Sequence, residues 1–299
     1  MIEHLKFGII GLSQGNGHPY SWSAIINGYD VRSIEACGFP SIPRYLGKEK
    51  FPEAKINQAK VTYVWTQDKD LSRHIAKSCY IDHIADSPNH MIGKVDAILL
   101  ARDDAENHYE LAKPFLDAGL PIYIDKPLAF TVCEAVKLLD AQKYSGQIFT
   151  CSALKYANEF KLSKSDHLSI GKIINISAKV PKSWKHYAIH VIEPILNIIN
   201  DKSSIFDSKI NYQGKATILN ICWNNGMTTT ISASGDINGS ISIDIEGEQE
   251  IISMIFVDTF NAFKSALNEF IQGILHKDIR SDRDFILKSI KIVELGNRI

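Results

Sequence analysis

The sequence predicts an α/β protein with two domains. Up to residue 152, short apolar runs alternate with helix-like stretches, which is typical of parallel βαβ units in a doubly wound sheet. Beyond that point, strand-like runs follow one another with few helices between them, so an α+β domain with a largely antiparallel open sheet is expected. We therefore predict a first domain at 1–152, with an insertion at about 29–60, and a second domain at 153–299.

Composition and charge exclude several classes of protein. The 299 residues carry a formal net charge of −1 and no long basic run, so nucleic acid and anionic membrane surfaces are not expected partners. No apolar stretch is long enough to span a bilayer, and the first residues do not resemble a signal peptide. The five cysteines are scattered without a Cys-x-x-Cys pair, which favours reduced thiols in the cytoplasm over a disulfide framework or a zinc site.

In the first domain, apolar β-branched runs predict the strands, and stretches with caps or terminal glycines predict the helices. The predicted strands are 5–10, 61–66, 95–101, 121–125 and 147–152. The predicted helices are 18–27, 68–78, 104–118 and 131–143. The insertion is rich in Pro, Gly and charge and has poor periodicity, so we expect a long loop that lines or covers the substrate cleft.

In the second domain the same signals recur in a different order. The predicted strands are 172–180, 204–211, 215–222, 227–234 and 240–246. The predicted helices are 187–199, 256–276 and 282–295. The tripeptide Asn224-Asn-Gly226 is typical of a hairpin turn, so the third and fourth of these strands are expected to pair.

A glycine-rich segment, Gly11–Gly17, directly follows the first strand. In a doubly wound sheet, such a turn presents backbone N–H groups to a dinucleotide pyrophosphate at a helix start. The Gly-x-Gly-x-x-Gly template is not met, because Ser13 and Asn16 stand at its second and third glycine positions while Gly15 is out of register. The segment therefore has two interpretations, a dinucleotide-binding loop and an ordinary glycine turn.

The tripeptide Asp125-Lys126-Pro127 ends the strand that begins at Pro121. The residue before a proline is restricted to extended geometry, so Lys126 is expected at the carboxyl end of the strand rather than on the following helix. Ligands of open α/β sheets bind at that end. The alternative is a solvated Asp–Lys pair in a loop.

Three segments together resemble the Gfo/Idh/MocA family, of the glucose–fructose oxidoreductase and inositol dehydrogenase type. They are Val95-Asp-Ala-Ile-Leu with Asn107-His108, then Ala118-Gly-Leu-Pro-Ile-Tyr-Ile-Asp-Lys-Pro-Leu-Ala129, and Phe263-Lys-Ser-Ala-Leu-Asn-Glu-Phe-Ile-Gln-Gly273. Asp125 stands where the family has glutamate in its Glu-Lys-Pro signature. The resemblance covers nearly the whole chain and implies a Rossmann-type domain, a nicotinamide cofactor and a carbohydrate-like substrate.

The resemblance also implies roles for individual residues. Lys126 is expected to contact the substrate hydroxyl and the nicotinamide ribose. A second family motif aligns with His186, His190 and Glu193, whose spacing of four and three residues puts them on one helical face. His186 replaces the family's aspartate, so the group that tunes the proton acceptor stays open.

From these positions we predict the chemistry. His190 is the expected general acid/base because imidazole titrates near neutral pH, and Lys126 is the expected cation that stabilises a developing alkoxide. His186 and Tyr187 are expected to relay the proton or orient the substrate, and Lys155 and Glu193 are further candidate substrate contacts. A buried structural histidine at position 190 is one alternative. A zinc site made by the two histidines and a glutamate is another, although we predict no metal.

The predicted cofactor contacts lie in the glycine segment and at the ends of the second, third and fourth strands. They are Gly11, Ser13, Gly15, Asn16, Thr66, Asp68, Ala101, Arg102, His108, Asp125, Lys126 and Pro127. Asp68 is placed either to bond the adenosine ribose diol or only to cap its helix. The choice between NAD and NADP therefore stays open.

The prediction for function is an NAD(P)-dependent oxidoreductase that transfers a hydride between the nicotinamide and a hydroxyl or keto group of a carbohydrate, cyclitol or sugar-nucleotide. A non-catalytic sensor or scaffold of the same family, which binds a nucleotide or sugar without turnover, is the alternative. The resemblance further implies a cytoplasmic homodimer or homotetramer formed through the open sheet of the second domain.

Overall fold

The computed structural model describes residues 4–199 and 203–297. Contacts between Cα atoms divide them into two compact units. The first unit comprises 4–129, 136–151 and 263–283, and the second comprises the remaining described residues. The segment 263–283 is thereby grouped with the N-terminal sheet, whereas the sequence predicted one boundary near residue 152.

The first unit is built on a six-stranded sheet in which every pairing is parallel, in the order β3-β2-β1-β4-β5-β6. Its strands are β1 (Leu5–Ile10), β2 (Ala59–Trp65), β3 (His83–Ile84), β4 (Ala97–Leu100), β5 (Ile122–Ile124) and β6 (Ile148–Phe149). This order confirms the predicted doubly wound sheet. The strand order reverses beside β1, so ligands of such a sheet bind at the carboxyl ends of its central strands.

The helices up to residue 140 alternate with these strands, as parallel connections require. They are α1 (His18–Asn27), α2 (Val31–Glu35), α3 (Ser41–Leu46), α4 (Lys69–Ser78), α5 (His108–Asp117) and α6 (Val132–Asp140). The predicted insertion is not a featureless loop, because it contains α2 and α3. Each is too short to show helical periodicity, although the Asp30 carboxylate caps α2 by accepting from the Ser33 N–H at 2.8 Å.

The core of the first unit is a stack of aromatic rings at the middle of the sheet. Tyr123 on β5 stacks on Trp22 of α1 at 4.6 Å between ring centroids and meets Phe270 at 5.7 Å. All four residues of β4 are fully buried, since helices cover both faces of the sheet there. The carboxyl ends of β1, β4 and β5 are therefore carried on a fully buried, close-packed part of the unit.

The second unit contains a six-stranded mixed sheet in the order β12-β11-β7-β10-β9-β8, and only β7 and β10 pair in parallel. Its strands are β7 (Ile173–Val180), β8 (Ile205–Gln213), β9 (Ala216–Trp223), β10 (Thr228–Ala233), β11 (Ser242–Gly247) and β12 (Ile251–Ile255). The largely antiparallel sheet and the hairpin at Gly226 are confirmed. Edge strand β12 was missed because its exposed apolar residues do not alternate with polar ones.

The remaining helices are α7 (Lys164–Ile170), α8 (Trp184–Tyr187), α9 (Ile189–Ile199), α10 (Thr259–His276) and α11 (Arg283–Gly296). The predicted continuous helix 187–199 is wrong at its start, because a turn at Ala188 separates α8 from α9. His186 therefore lies on a different helix from His190 and Glu193. Among the described residues, no helix is both long and apolar enough to cross a membrane.

The last turn of α11 packs against a buried indole. Trp184 donates its Nε1–H to the Val293 carbonyl at 2.9 Å, and a Cβ added at Gly296 would overlap the Trp184 ring. Alanine normally stabilises a helix by about 0.5–1 kcal/mol relative to glycine. At this position the overlap opposes that gain, so backbone and ring have to move apart.

We predict that Gly296→Ala lowers the free energy of unfolding by roughly 1–3 kcal/mol, the usual cost of overpacking. Gly273→Ala is the matched control, since it is also a helical glycine but its Cβ would meet the flexible Arg280 side chain at 3.0 Å and the Asp278 carbonyl oxygen at 3.4 Å, an ordinary contact distance. Denaturant titration of both variants measures the difference. An equal effect of the two substitutions would contradict the packing argument.

Candidate active site

The carboxylate of Asp125 lies at the carboxyl end of β5 and is 1% exposed. Its Oδ2 accepts from Asn16 Nδ2 at 2.8 Å and lies 2.5 Å from His18 Nδ1, while Oδ1 accepts from the Lys126 N–H at 2.7 Å. Burial by itself raises the pKa of Asp125, but the neighbouring His18 and Lys126 charges and the His18 hydrogen bond hold that pKa below its usual value. The buried carboxylate is thus kept ionised.

Lys126 is also buried, with 5% of its surface exposed, so the interpretation of Asp125-Lys126 as a solvated loop pair is wrong. Its Nζ lies 3.4 Å from Oδ2 of Asp103, which follows β4. The other oxygen of Asp103 accepts from the Ser13 hydroxyl at 2.6 Å, and the Asp103 N–H donates back to Ser13 Oγ at 3.1 Å. Ser13, at the second glycine position of the template, therefore links the glycine segment to the ammonium group.

Gln67, just after β2, joins the glycine segment from the other side. Its side-chain amide accepts from the Leu12 N–H at 3.1 Å and donates to the Leu12 carbonyl at 2.6 Å, and Arg102 donates to the same Gln67 oxygen at 3.1 Å. Asp68 caps α4, since its Oδ1 accepts from the Asp70 N–H at 2.8 Å. Of the two interpretations of Asp68, the helix cap is the one present in this arrangement. Its contact with a ribose stays a prediction.

Thr66 is likewise engaged within the protein, with its hydroxyl 2.8 Å from Ser72 Oγ. Arg102 forms an ion pair with Asp104, and Ala101 continues the sheet by donating its N–H to the Ile10 carbonyl at 2.8 Å. These side chains shape the carboxyl edge of the sheet. Their predicted contacts with the cofactor stay predictions.

The glycine segment offers several backbone donors at this edge. Within residues 4–199 and 203–297, the N–H groups of Ser13, Gln14, Gly15 and Gly17 donate to no protein acceptor. Gly15 has a φ of 78°, a conformation that favours glycine and turns consecutive N–H groups towards one side. Close packing of Pro19 leaves no room for a Cβ at Gly11. Such a group of donors before a helix fits a dinucleotide pyrophosphate.

His108, one of the predicted cofactor contacts, is the first residue of α5. It is fully buried, with Nδ1 2.9 Å from the Leu128 carbonyl and Nε2 2.8 Å from the Arg102 carbonyl. Both ring nitrogens are thus occupied by backbone oxygens. His108 thereby connects the loop after β4 to the segment after Pro127.

In the second unit, Ser152 brings His190 and Glu193 together. Its hydroxyl lies 2.8 Å from His190 Nδ1, and its N–H donates to Glu193 Oε2 at 2.8 Å. The same hydroxyl accepts from the Leu154 N–H at 3.3 Å and so caps a 3₁₀ turn, Ala153–Tyr156. Ser152 was not among the predicted site residues, because a serine after a strand carries no distinctive sequence signal.

Glu193 is only 5% exposed, so its carboxyl group belongs to the interior of the second unit. Burial raises the pKa of Glu193 to about 7, although the Lys155 charge and the Ser152 N–H oppose the rise. Lys155 lies over the Phe285 ring, with Nζ 4.0 Å from the ring centroid. Substrate contacts by Glu193 and Lys155 remain predictions, and the positions of both residues favour support of His190.

His186 and Tyr187 flank this cluster. The His186 ring meets Phe130 edge-on at 5.7 Å, and the Tyr187 ring meets His190 edge-on at 5.1 Å. The Tyr187 hydroxyl accepts from Lys182 Nζ at 2.5 Å. Three or more His, Cys, Asp or Glu side chains placed to hold a metal ion do not occur within the part of the chain that the structure describes.

The raised pKa of Glu193 predicts a pH-dependent stability. The unfolded chain loses this proton near pH 4.5 and the folded chain near pH 7, so the stability associated with the neutral carboxyl is full below pH 4.5 and is lost as the pH rises through 7. At about 1.4 kcal/mol per pKa unit, the loss is roughly 3 kcal/mol. Glu193→Gln keeps an oxygen for the Ser152 N–H and does not ionise.

We therefore expect Glu193→Gln to gain stability relative to the wild type by roughly 3 kcal/mol between pH 4.5 and 8, the span that brackets the raised pKa. Denaturant titrations of both proteins at each pH give the difference, which cancels the contributions of all other titrating groups. Parallel pH profiles for the two proteins would show that the Glu193 proton is not retained on folding.

Comparison with known proteins finds one family model that is similar to part of the chain. Residues 44–152 match the family model described as the Gfo/Idh/MocA oxidoreductase family, NAD-binding Rossmann fold. That description agrees with the predicted cofactor class, a nicotinamide dinucleotide. No curated protein sequence matches the chain.

Solved structures share the fold over almost the whole chain. Myo-inositol 2-dehydrogenase from Lactobacillus plantarum is 13% identical in sequence and has a TM-score of 0.74. The alignment covers 98% of this chain and 96% of that chain. Apo scyllo-inositol dehydrogenase from Lactobacillus casei is 13% identical with a TM-score of 0.74, covering 99% and 96% of the two chains. Myo-inositol dehydrogenase from Lactobacillus casei, in complex with NAD(H) and myo-inositol, has the same identity and TM-score over 99% and 94%.

At this identity, the structural likeness establishes the shared fold. The family match covers the segment that runs through β4, α5 and the Asp125-Lys126-Pro127 tripeptide. This segment of the chain is thus similar to the NAD-binding Rossmann domain of the Gfo/Idh/MocA oxidoreductases.

Proposed function

We propose that the protein catalyses reversible hydride transfer between NAD or NADP and a hydroxyl or keto carbon of a carbohydrate, cyclitol or sugar-nucleotide. The observation that carries the proposal is the buried Lys126 ammonium group at the carboxyl end of β5, on the same sheet edge as the unbonded N–H groups of the glycine segment. Structural relatives include enzymes crystallised with NAD(H) and an inositol, which supports the cyclitol class.

Lys126 acts as a fixed positive charge. Asp103, 3.4 Å away, holds the ammonium group in place and is itself held by the Ser13 hydroxyl. When a substrate hydroxyl is oxidised, its oxygen gains negative charge as the proton leaves. A buried ammonium group stabilises that charge more than water does, because it needs no reorganisation.

His190 exchanges the proton of the reacting hydroxyl. Its Nδ1 lies against the Ser152 hydroxyl, which either donates or accepts a hydrogen bond. The ring is therefore held in place in both of its neutral tautomers and in its protonated form. In the oxidation direction His190 accepts the proton, and in the reduction direction it returns it. The nicotinamide, when bound, accepts or supplies the hydride.

We predict that Lys126→Met and His190→Ala each lower turnover by about 10²- to 10⁴-fold, the range for loss of an acid/base or electrostatic group. Lys126→Met keeps a buried side chain of similar length, so the fold should survive. His167→Ala is the matched control for a lost histidine, since His167 lies on exposed helix α7 of the second unit. Steady-state rates across a panel of cyclitols and sugars measure the effect.

Binding of NAD+, NADH, NADP+ and NADPH to the wild type should be titrated first, through nicotinamide fluorescence and thermal shift. Tight binding of one pair selects the cofactor for the substrate panel. Failure to bind any of the four would contradict the proposed cofactor site. Binding without turnover across the panel would instead favour the sensor or scaffold alternative.

We also propose that the protein is a cytoplasmic homodimer or homotetramer. Exposed apolar side chains on the mixed sheet support this, among them Phe206 at 80%, Ile255 at 56% and Tyr212 at 53% exposure. Light scattering of the purified protein should give a mass of two or four chains. A monomer at micromolar concentration would contradict the assembly.

A further inference from the structure

We propose that His18 is a cofactor ligand that donates a hydrogen bond from Nε2 to the pyrophosphate of the dinucleotide, with Asp125 holding the ring in position. The inference rests on the proposed cofactor site and adds a residue outside the glycine template. His18 is the first residue of α1 and directly follows the segment Gly11–Gly17. It therefore stands beside the unbonded N–H groups of that segment.

The His18 ring is fixed from three sides within the first unit. Its Nδ1 lies 2.5 Å from Asp125 Oδ2. One face stacks on the Trp22 ring at 5.1 Å with an interplanar angle of 13°, and Phe263 meets the ring edge-on at 5.0 Å. A side chain held in this way loses little conformational entropy when a ligand binds.

The pairing with Asp125 determines which atom of the ring is available. Because the Nδ1–H is directed to a buried carboxylate, the remaining hydrogen of an imidazolium ring lies on Nε2. The His18 side chain keeps 17% of its surface exposed, whereas Asp125 keeps 1%, so the ring is the exposed end of the pair.

The other polar side chains of the segment are not equivalent donors. The Ser13 hydroxyl is bonded to Asp103, and the Asn16 amide donates to Asp125 and accepts from the His18 N–H at 2.8 Å. Gln14 is exposed, and no hydrogen bond holds its side chain among the described residues. Directly after the segment, His18 thus combines a fixed side chain with a second donor atom.

Two substitutions of His18 distinguish the role of Nδ1 from the role of Nε2. His18→Asn places an amide donor where Nδ1 stood, so the bond to Asp125 is kept and the Nε2 donor is lost. His18→Gln extends its amide towards the Nε2 position and leaves Asp125 without its imidazole. We expect His18→Asn to weaken cofactor binding roughly tenfold to a hundredfold, the effect of one charge-assisted hydrogen bond, with little change in melting temperature.

For His18→Gln we expect the opposite pattern, with a lower melting temperature and a smaller loss of affinity. The dissociation constants are measured by calorimetry for the preferred dinucleotide and for ADP-ribose, which contains the pyrophosphate but lacks nicotinamide. A pyrophosphate contact predicts the same loss for both probes. Loss for the dinucleotide alone would overturn the assignment, since it would locate the contact at the nicotinamide end.

Unchanged affinity of His18→Asn for both probes would also overturn it. If the wild type binds neither the four dinucleotides nor ADP-ribose, the proposed function itself fails. If instead the wild type binds tightly and His18→Asn binds equally well, the proposed function stands and only the assignment of His18 fails. Should His18→Asn fold poorly, His18→Gln with both probes still tests the donor, because a retained Nε2-like amide predicts retained affinity.

Discussion

The site of the first unit depends on the burial of one charge, the carboxylate of Asp125. An isolated buried carboxylate costs several kcal/mol, so its position is stable only with a paired cation and satisfied oxygens. His18, Asn16 and the Lys126 N–H provide these at 2.5–2.8 Å. Because Asp125 follows β5 whereas the other side chains follow β1, with β4 between the two strands, the pairing ties the glycine segment across the sheet.

Alternation of strands and helices was sufficient to predict the doubly wound sheet and the place of Lys126 at a strand end. The partner of Lys126 was not predictable in the same way. Adjacent residues of an extended segment project to opposite sides, so Lys126 pairs with Asp103 from a neighbouring loop rather than with Asp125 beside it in sequence. The local spacing of residues predicts a helix or strand. Which side chains pair depends on which loops the strand order of the sheet brings together.

The departures from the glycine template have a physical explanation of the same kind. Ser13 and Asn16 are substitutions that remove backbone freedom, and each adds a hydrogen bond to a carboxylate 90 or 109 residues away. The glycine template describes how closely a pyrophosphate can approach the backbone of one segment. It contains no information on carboxylates that follow other strands of the sheet. His18 went unnoticed for this reason, although its place directly after the glycines was visible.

In the second unit, the histidine predicted to exchange the proton has a neutral hydroxyl as a hydrogen-bond partner. Where the family motif has aspartate, this chain has His186, and Nδ1 of His190 lies against the Ser152 hydroxyl. A carboxylate partner would favour one tautomer and the protonated ring, whereas a hydroxyl favours neither strongly. Oε2 of Glu193 accepts from the Ser152 N–H, and the raised pKa of Glu193 keeps a proton on it up to about pH 7. A hydroxyl partner at Nδ1 therefore suits the proposed role of His190, in which the ring accepts a proton in one direction of the reaction and returns it in the other.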